Sequence, residues 1–172
     1  MKKILMLLVS ASLFATAAFS QDKISLHNGT TIDGKVIRVS EYTIDYTFQN
    51  ETAEQTVSKY AVDNIVYGSS GRTEHVTDKV NISGEEGWKN VVLLEDKSQI
   101  TGLTKVDNIK GKSAFFNMRS ANGTDTKATL DLKKKAAKLG CSFVYVTADK
   151  DSRFGTGLGS NQTTKQAIAL KY

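Results

Sequence analysis

"TLDLKKKAAKLGCSFVYVTA", Thr129 to Ala148, is where the chain changes its period. At about 100° per residue, Ala128, Leu132, Ala136 and Leu139 fall within about 80° of one another. Lys133, Lys134 and Lys138 point away from that stripe. The pattern predicts an amphipathic helix with a solvent-facing basic side. Thr124 or Asp125 can cap its start, Asp125 suits the N-terminal end of the dipole, and the lysines suit the far end. Gly140 is placed to end it in the left-handed conformation. "CSFVYVTA" then carries bulky residues on both faces, which predicts a central strand.

From Lys23 to Gly68 the chain reads at period two almost throughout. "KISLHN" alternates Ile24 and Leu26. Asn28-Gly29 is a hairpin signal, since both residues accept the positive φ of a tight primed turn. "TIDGKVIRV" comes next, and Gly34 inside it marks a bulge or bend. In "YTIDYTF" Tyr42, Ile44, Tyr46 and Phe48 face one way and Thr43, Asp45 and Thr47 the other. "TVSKYAVDNIVYG" closes the unit. Five short strands without a helix predict a small all-β unit over residues 22–68, an open barrel or curled sheet. Residues 69–90 are Gly/Ser-rich and charged and read as a linker, interrupted by Val76, Val80 and Ile82, with Trp88 docking at the start of the second unit.

The remainder, residues 91–172, reads as an α+β unit: an antiparallel sheet with one packed helix. It opens on "LLEDKSQITG", which repeats the pattern of "LHNGTTIDG" (Leu26–Gly34): Leu-x-Asn/Asp, a turn, Ile-x-Gly. Both copies predict strand, turn and returning strand. A further strand is expected around Ser113–Met118, a long loop over "DKDSRFGTGLGSNQTTK", and a last strand in "QAIALKY". The predicted fold class is therefore mostly β with one main helix: a small N-terminal β-barrel followed by an α+β domain.

Residues 1–20 have the layout of a secretory signal peptide: "MKK", an apolar run, and small residues at Ala18 and Ser20. Cleavage is expected between Ser20 and Gln21, giving a periplasmic or secreted protein of 152 residues. The run is shorter than the roughly 20 residues a spanning helix needs, and the rest of the chain holds no transmembrane span. The 172-residue chain has a net charge of +5, one cysteine and no proline. Residues 22–68 carry four basic and seven acidic groups, residues 69–172 seventeen and eleven. That density is too low for a dedicated nucleic-acid binder, so no specific nucleic-acid partner is expected. A single cysteine excludes an internal disulfide, and each unit must stand on its apolar core.

Two resemblances rest on these motifs. "DKISLHNGTTIDGKVIRV" with "VDNIVYG" is similar to the Sm-like and SH3-like small barrels, through Ile24, Leu26, Gly29, Ile32 and Gly34. Sm-like proteins bind RNA in rings; an acidic exported unit carries over the barrel and not the RNA. "LKKKAAKLGCSFVYVT" with "QAIALKY" resembles the YhcN-type domain of small exported bacterial proteins linked to envelope stress and biofilm formation. Cys141 stands where that family usually has a small residue, and the loop here is longer.

Candidate chemistry is sparse. Cys141 lacks a base, since the two histidines lie in the first unit and the linker, and it reads as a buried thiol, with an intermolecular disulfide as the alternative. His27 and His75 are isolated, so no metal set is nominated, and no paired carboxylates stand out. "GTGLGS" (Gly155–Ser160) precedes a strand rather than a helix, so it lacks the context of a phosphate loop. Neither a catalytic residue nor a cofactor is expected. Interaction residues are nominated in two places: Tyr42 and Tyr46 among the aromatics of the first unit, and Lys133, Lys134 and Lys138 on the helix. The sequence points to an exported, non-enzymatic envelope protein acting as a binding or interaction module, related to stress or the cell surface, with a protein or envelope polymer as partner. The alternative is a periplasmic small-molecule or glycan binder using the first-unit aromatics.

Overall fold

The computed structural model describes residues 21–113, 121–153 and 161–172. The expected leader, most of the strand expected around Ser113–Met118, and the glycine loop lie outside these residues. Two sheets and one main helix make up the fold, as expected for a β-rich α+β chain.

The first sheet contains β1 (Asp22–Leu26), β2 (Thr31–Val39), β3 (Thr43–Thr47), β4 (Glu54–Ser58), β5 (Val62–Val66) and β6 (Thr73–His75), in the order β4-β3-β2-β1-β5-β6. The β1–β2 hairpin forms at Asn28-Gly29, but its turn is not a primed one. Gly29 alone takes positive φ, at 89°. Its N–H donates to Leu26 O (3.0 Å), and Leu26 N–H donates to Thr30 O (2.8 Å). Asn28 keeps an ordinary backbone and instead uses its Oδ1 to accept from Thr30 N (2.9 Å). That is a turn closed by a glycine bulge.

β2 serves two partners. Thr31–Gly34 pairs with β1, and Lys35–Val39 pairs with β3 through a register shift between Val36 and Arg38. Gly34 sits at the changeover, where a Cβ would lie 2.6 Å from Thr47 O. The close approach of two backbones needs a residue with no side chain, and it curls the sheet around Ile24, Ile44, Val57, Val62 and Ile65. The opposite face of β3 is not simply solvated. Asp45 is buried, and it accepts from Arg38 Nη2 (2.6 Å) and from Thr56 Oγ1 (3.0 Å) on the strands either side.

The second sheet contains β7 (Val92–Leu94), β8 (Thr104–Lys112), β9 (Phe143–Arg153) and β10 (Asn161–Lys171), ordered β7-β9-β10-β8. Here "LLEDKSQITG" departs from its expected hairpin. Asp96 and Gln99 form a capping box around a 3₁₀ turn at Lys97–Ile100. The chain then leaves, and β7 and β8 end on opposite edges of the sheet. β7 pairs parallel with β9, so the sheet is mixed rather than wholly antiparallel. The strand expected over Cys141–Ala148 starts at Phe143 and is interior, as its two-sided bulk implied. It runs on to Arg153, and β10 starts at Asn161, so much of the expected loop is strand.

The helix α1 (Ala121–Lys138) covers one face of this sheet. It is already helical at Ala121, so Thr124 and Asp125 lie inside it and do not cap it. Asp125 instead meets Lys165 Nζ at 2.6 Å, and Asp149 meets the same nitrogen at 3.2 Å. Burial opposes the charge on Lys165, but the two carboxylates outweigh it and raise its pKa. Ala128, Leu132 and Ala136 are buried as expected. Leu139 is not: it is 42% exposed. Gly140, at φ 65°, ends the helix with Gly140 N–H on Ala137 O (2.9 Å) and Cys141 N–H on Ala136 O (2.9 Å). This reversal places Cys141 in the core beside Ala136 and leaves Leu139 outside it.

Residues 69–90 are not a free linker. β6 lies in the first sheet, and Glu85–Asn90 form a 3₁₀ turn against α1. Val76 packs into the first core, Val80 into a core between the sheets, and Ile82 with Trp88 into the helix-covered core. The core between the sheets holds Leu94, Phe143 and Leu170, with Tyr60, Leu103 and Tyr172 packed against it. Polar ties reinforce it: Tyr172 Oη accepts from Val80 N (2.7 Å), and Ser58 N donates to Thr101 O (2.9 Å).

Candidate binding cleft

The bend of β2 opens a cleft of about 690 Å³ on the first sheet. Its floor is Gly34, Lys35 and Val36; Phe48 and Tyr67 stand among its walls, with Asp22, Gln49, Asn50 and Glu51 around them. Each wall is held in place. Phe48 is 40% exposed, and its ring meets the buried Tyr46 ring edge-on at 5.4 Å. Tyr67 donates from Oη to Glu74 Oε2 (3.0 Å), and the Arg72 guanidinium covers its ring at 4.3 Å. Burial, with Glu74 second, raises the Tyr67 hydroxyl pKa, so it stays a protonated donor.

Asp22 is a structural staple rather than an acid or base. Its carboxylate accepts from Val36 N and Gly68 N, both at 2.9 Å, and so ties β1 to β2 and to the end of β5. Asn50 turns the chain at φ 63°, a left-handed position that asparagine tolerates. The Gln21 and Gln49 side chains hydrogen-bond across the mouth. The cleft thus presents a backed aromatic ring, amides and both signs of charge.

The nominated aromatics do not meet here. Tyr46 is buried and supports Phe48 from below; burial raises its hydroxyl pKa. Tyr42 is exposed before β3, on the far side of Ile44, where the hydrogen bond with Glu41 raises its pKa. Phe48 and Tyr67, aromatics of the same unit, are the ones lining the cleft. The alternation that put Phe48 with Tyr46 on one face carried the signal for it. Among the nominated lysines, Lys134 Nζ lies 5.9 Å from the Trp88 ring centroid and Lys138 pairs with Glu85 at 3.2 Å. Lys133 is half-buried and has no carboxylate within ion-pair reach among the described residues.

Nucleophile, base and metal chemistry do not converge on any point described. Cys141 is buried, and burial pushes its thiol pKa up. His27 Nε2 bonds Thr77 Oγ1 at 3.1 Å, and its ring meets the Tyr172 ring at 4.9 Å, so it is a joint between segments. His75 sits apart, with Asp63 and Asp78. Among the described residues no three metal-ligating side chains gather, and no helix is long and apolar enough to cross a membrane. No family model, curated protein or solved structure matches the chain.

Proposed function

We propose that this is an exported, non-enzymatic binding module of the bacterial envelope, periplasmic or secreted once its leader is removed, and that it holds a glycan segment of an envelope polymer in the β2–β3 cleft. The observation that carries this reading is Phe48: a large apolar ring left exposed at a cleft mouth and backed by Tyr46. An aromatic face flanked by amide side chains suits a sugar ring, whose C–H face stacks while its hydroxyls take hydrogen bonds. Asp22 and Tyr67, fixed by their partners, give the cleft a preformed shape and reduce the ordering cost of binding. The leader-like first twenty residues support export. The YhcN-type likeness of the sequence is the ground for a stress or surface role.

The test is co-sedimentation of the chain from Gln21 to Tyr172 with purified peptidoglycan sacculi. Binding is expected, and Phe48→Ala should weaken it about 30-fold, as loss of a central aromatic anchor does. Absence of binding, or equal binding by Phe48→Ala, refutes the assignment.

A further inference from the structure

The second sheet carries α1 on one face and leaves part of its other face open. Cross-strand pairing assigns the faces, because residues directly opposite one another share a side. Ile109, Gly111, Lys165 and Ala167 lie on the side of α1. The alternate residues point the other way: Asn108 opposite Ile168, Lys110 opposite Gln166, and Lys112 opposite Thr164. Ile168 and Tyr145 pack against the core between the sheets, and the described core reaches no further along these strands. Beyond it Lys110 and Lys112 are exposed, and Gln166 and Thr164 are half-buried beside them. None of these four residues lines the β2–β3 cleft.

Lysines on an edge strand often serve only to keep other strands away. Here that task is already done. The outward backbone groups of β8 are taken by side chains: Asp107 Oδ1 accepts from Asn108 N (2.7 Å), Asp131 Oδ2 accepts from Lys112 N (3.0 Å), and Lys135 Nζ donates to Lys110 O (2.6 Å). The charge on the open face is also of one sign. Asp107 and Asp149 pair with Ala169 and Lys165, and so belong to the helix side. Lys110 and Lys112 have no carboxylate partner among the described residues, and their positions on the strand lie about 7 Å apart. Gln166 and Thr164 set an amide and a hydroxyl next to them, again without a side-chain partner among the described residues. A polyanion that also carries hydroxyl groups uses all four side chains, whereas polyphosphate uses only the lysines. No aromatic ring stands among the four, so a single-stranded nucleic acid finds no stacking platform. No apolar side chain among them is there to enter a bilayer.

We propose that the open face of the second sheet binds an acidic polysaccharide, Lys110 and Lys112 pairing with its carboxylates while Gln166 and Thr164 take its hydroxyl groups. The experiment is surface plasmon resonance of the chain from Gln21 to Tyr172 over immobilised polygalacturonate, with the fully methyl-esterified polymer as its uncharged counterpart. Binding is expected to the acidic polymer only, and it should fall as salt rises. An exposed ion pair is worth about a factor of three, so Lys110→Gln with Lys112→Gln should weaken binding about tenfold. Gln166→Ala with Thr164→Val should weaken it about fivefold. Lys23→Gln with Lys97→Gln removes the same charge from exposed positions elsewhere and should bind as the parent does. Lys110 and Lys112 give only backbone groups to the edge bonds, so their double variant should melt as the parent does. Failure to bind polygalacturonate overturns the proposal, as does equal binding to the methyl ester. Parental binding by the Lys110 and Lys112 double variant, or an equal loss in the Lys23 and Lys97 variant, overturns it too. Parental binding by Gln166→Ala with Thr164→Val, with polyphosphate displacing the protein, overturns it in favour of recognition by charge alone.

Discussion

Gly111 offers a sharp test of how α1 sits on its sheet. A Cβ at this position would lie 2.2 Å from Ala128 O and 2.6 Å from Leu132 Cγ. Ordinary contact begins near 3.4 Å, so the first of these is short by about 1.2 Å. Leu132 could turn its side chain, but Ala128 O is helix backbone and moves only if the helix moves. Overpacking of this kind costs about 3 kcal/mol. The more restricted unfolded chain of an alanine variant returns about 0.7 kcal/mol. Gly111→Ala should therefore destabilise by about 2.3 kcal/mol, and in a chain of this size that lowers Tm by about 5–9 °C. Urea unfolding of the chain from Gln21, followed by far-UV circular dichroism and by Trp88 fluorescence, measures it. A loss below about 0.5 kcal/mol, or a gain, would mean that the helix does not rest on Gly111 and that the reasoning about its seating is wrong.

Phe143→Ala should cost about 3–5 kcal/mol, because it empties the core between the two sheets; the parent should unfold in one transition by both optical probes, and two separated transitions would show that this core does not couple the sheets. His27 is protonated less readily in the folded protein than its ordinary 6.5, chiefly through burial, with Asp63 opposing and Lys79 adding to the effect. The folded state then binds fewer protons, so this contribution to stability is complete above pH 6.5 and is lost as pH falls through the folded-state value. Urea midpoints across that range should drop in the parent and flatten in His27→Gln, and identical slopes refute the assignment. Cys141 should resist a thiol reagent in the native protein and react fully in urea, since the thiol is buried and its pKa raised; rapid native labelling contradicts its placement.

What could be read from the sequence were the local features. Ala128, Leu132 and Ala136 declared a helix by period, Gly140 its end, and Phe143–Val146 an interior strand by bulk on both faces. Pairings over long separations left no local trace. "LLEDKSQITG" carries the same pattern as a hairpin, yet its strand pairs with β9, about fifty residues away, and Leu94 shares a core with Phe143. Leu139 follows the helical period by sequence, but the period stops one residue earlier, at Lys138. Val76, Val80 and Ile82 looked like scattered apolar interruptions because each answers to a different core. Lys165 looked like a loop residue; its two carboxylates come from α1 and β9. The cleft shows the same division. Alternation placed Tyr46 and Phe48 on one face, and only the curl of the sheet at Gly34 decides that Tyr46 is covered while Phe48 is open.

The most direct test of the binding cleft is a nuclear magnetic resonance titration of the isotope-labelled chain with soluble glycan fragments of peptidoglycan. The amides of Gly34, Phe48, Gln49, Asn50 and Tyr67 should shift together and saturate, with those of Lys110 and Leu139 unmoved. Saturating shifts confined to other residues, or none at all, would contradict a glycan site in the β2–β3 cleft.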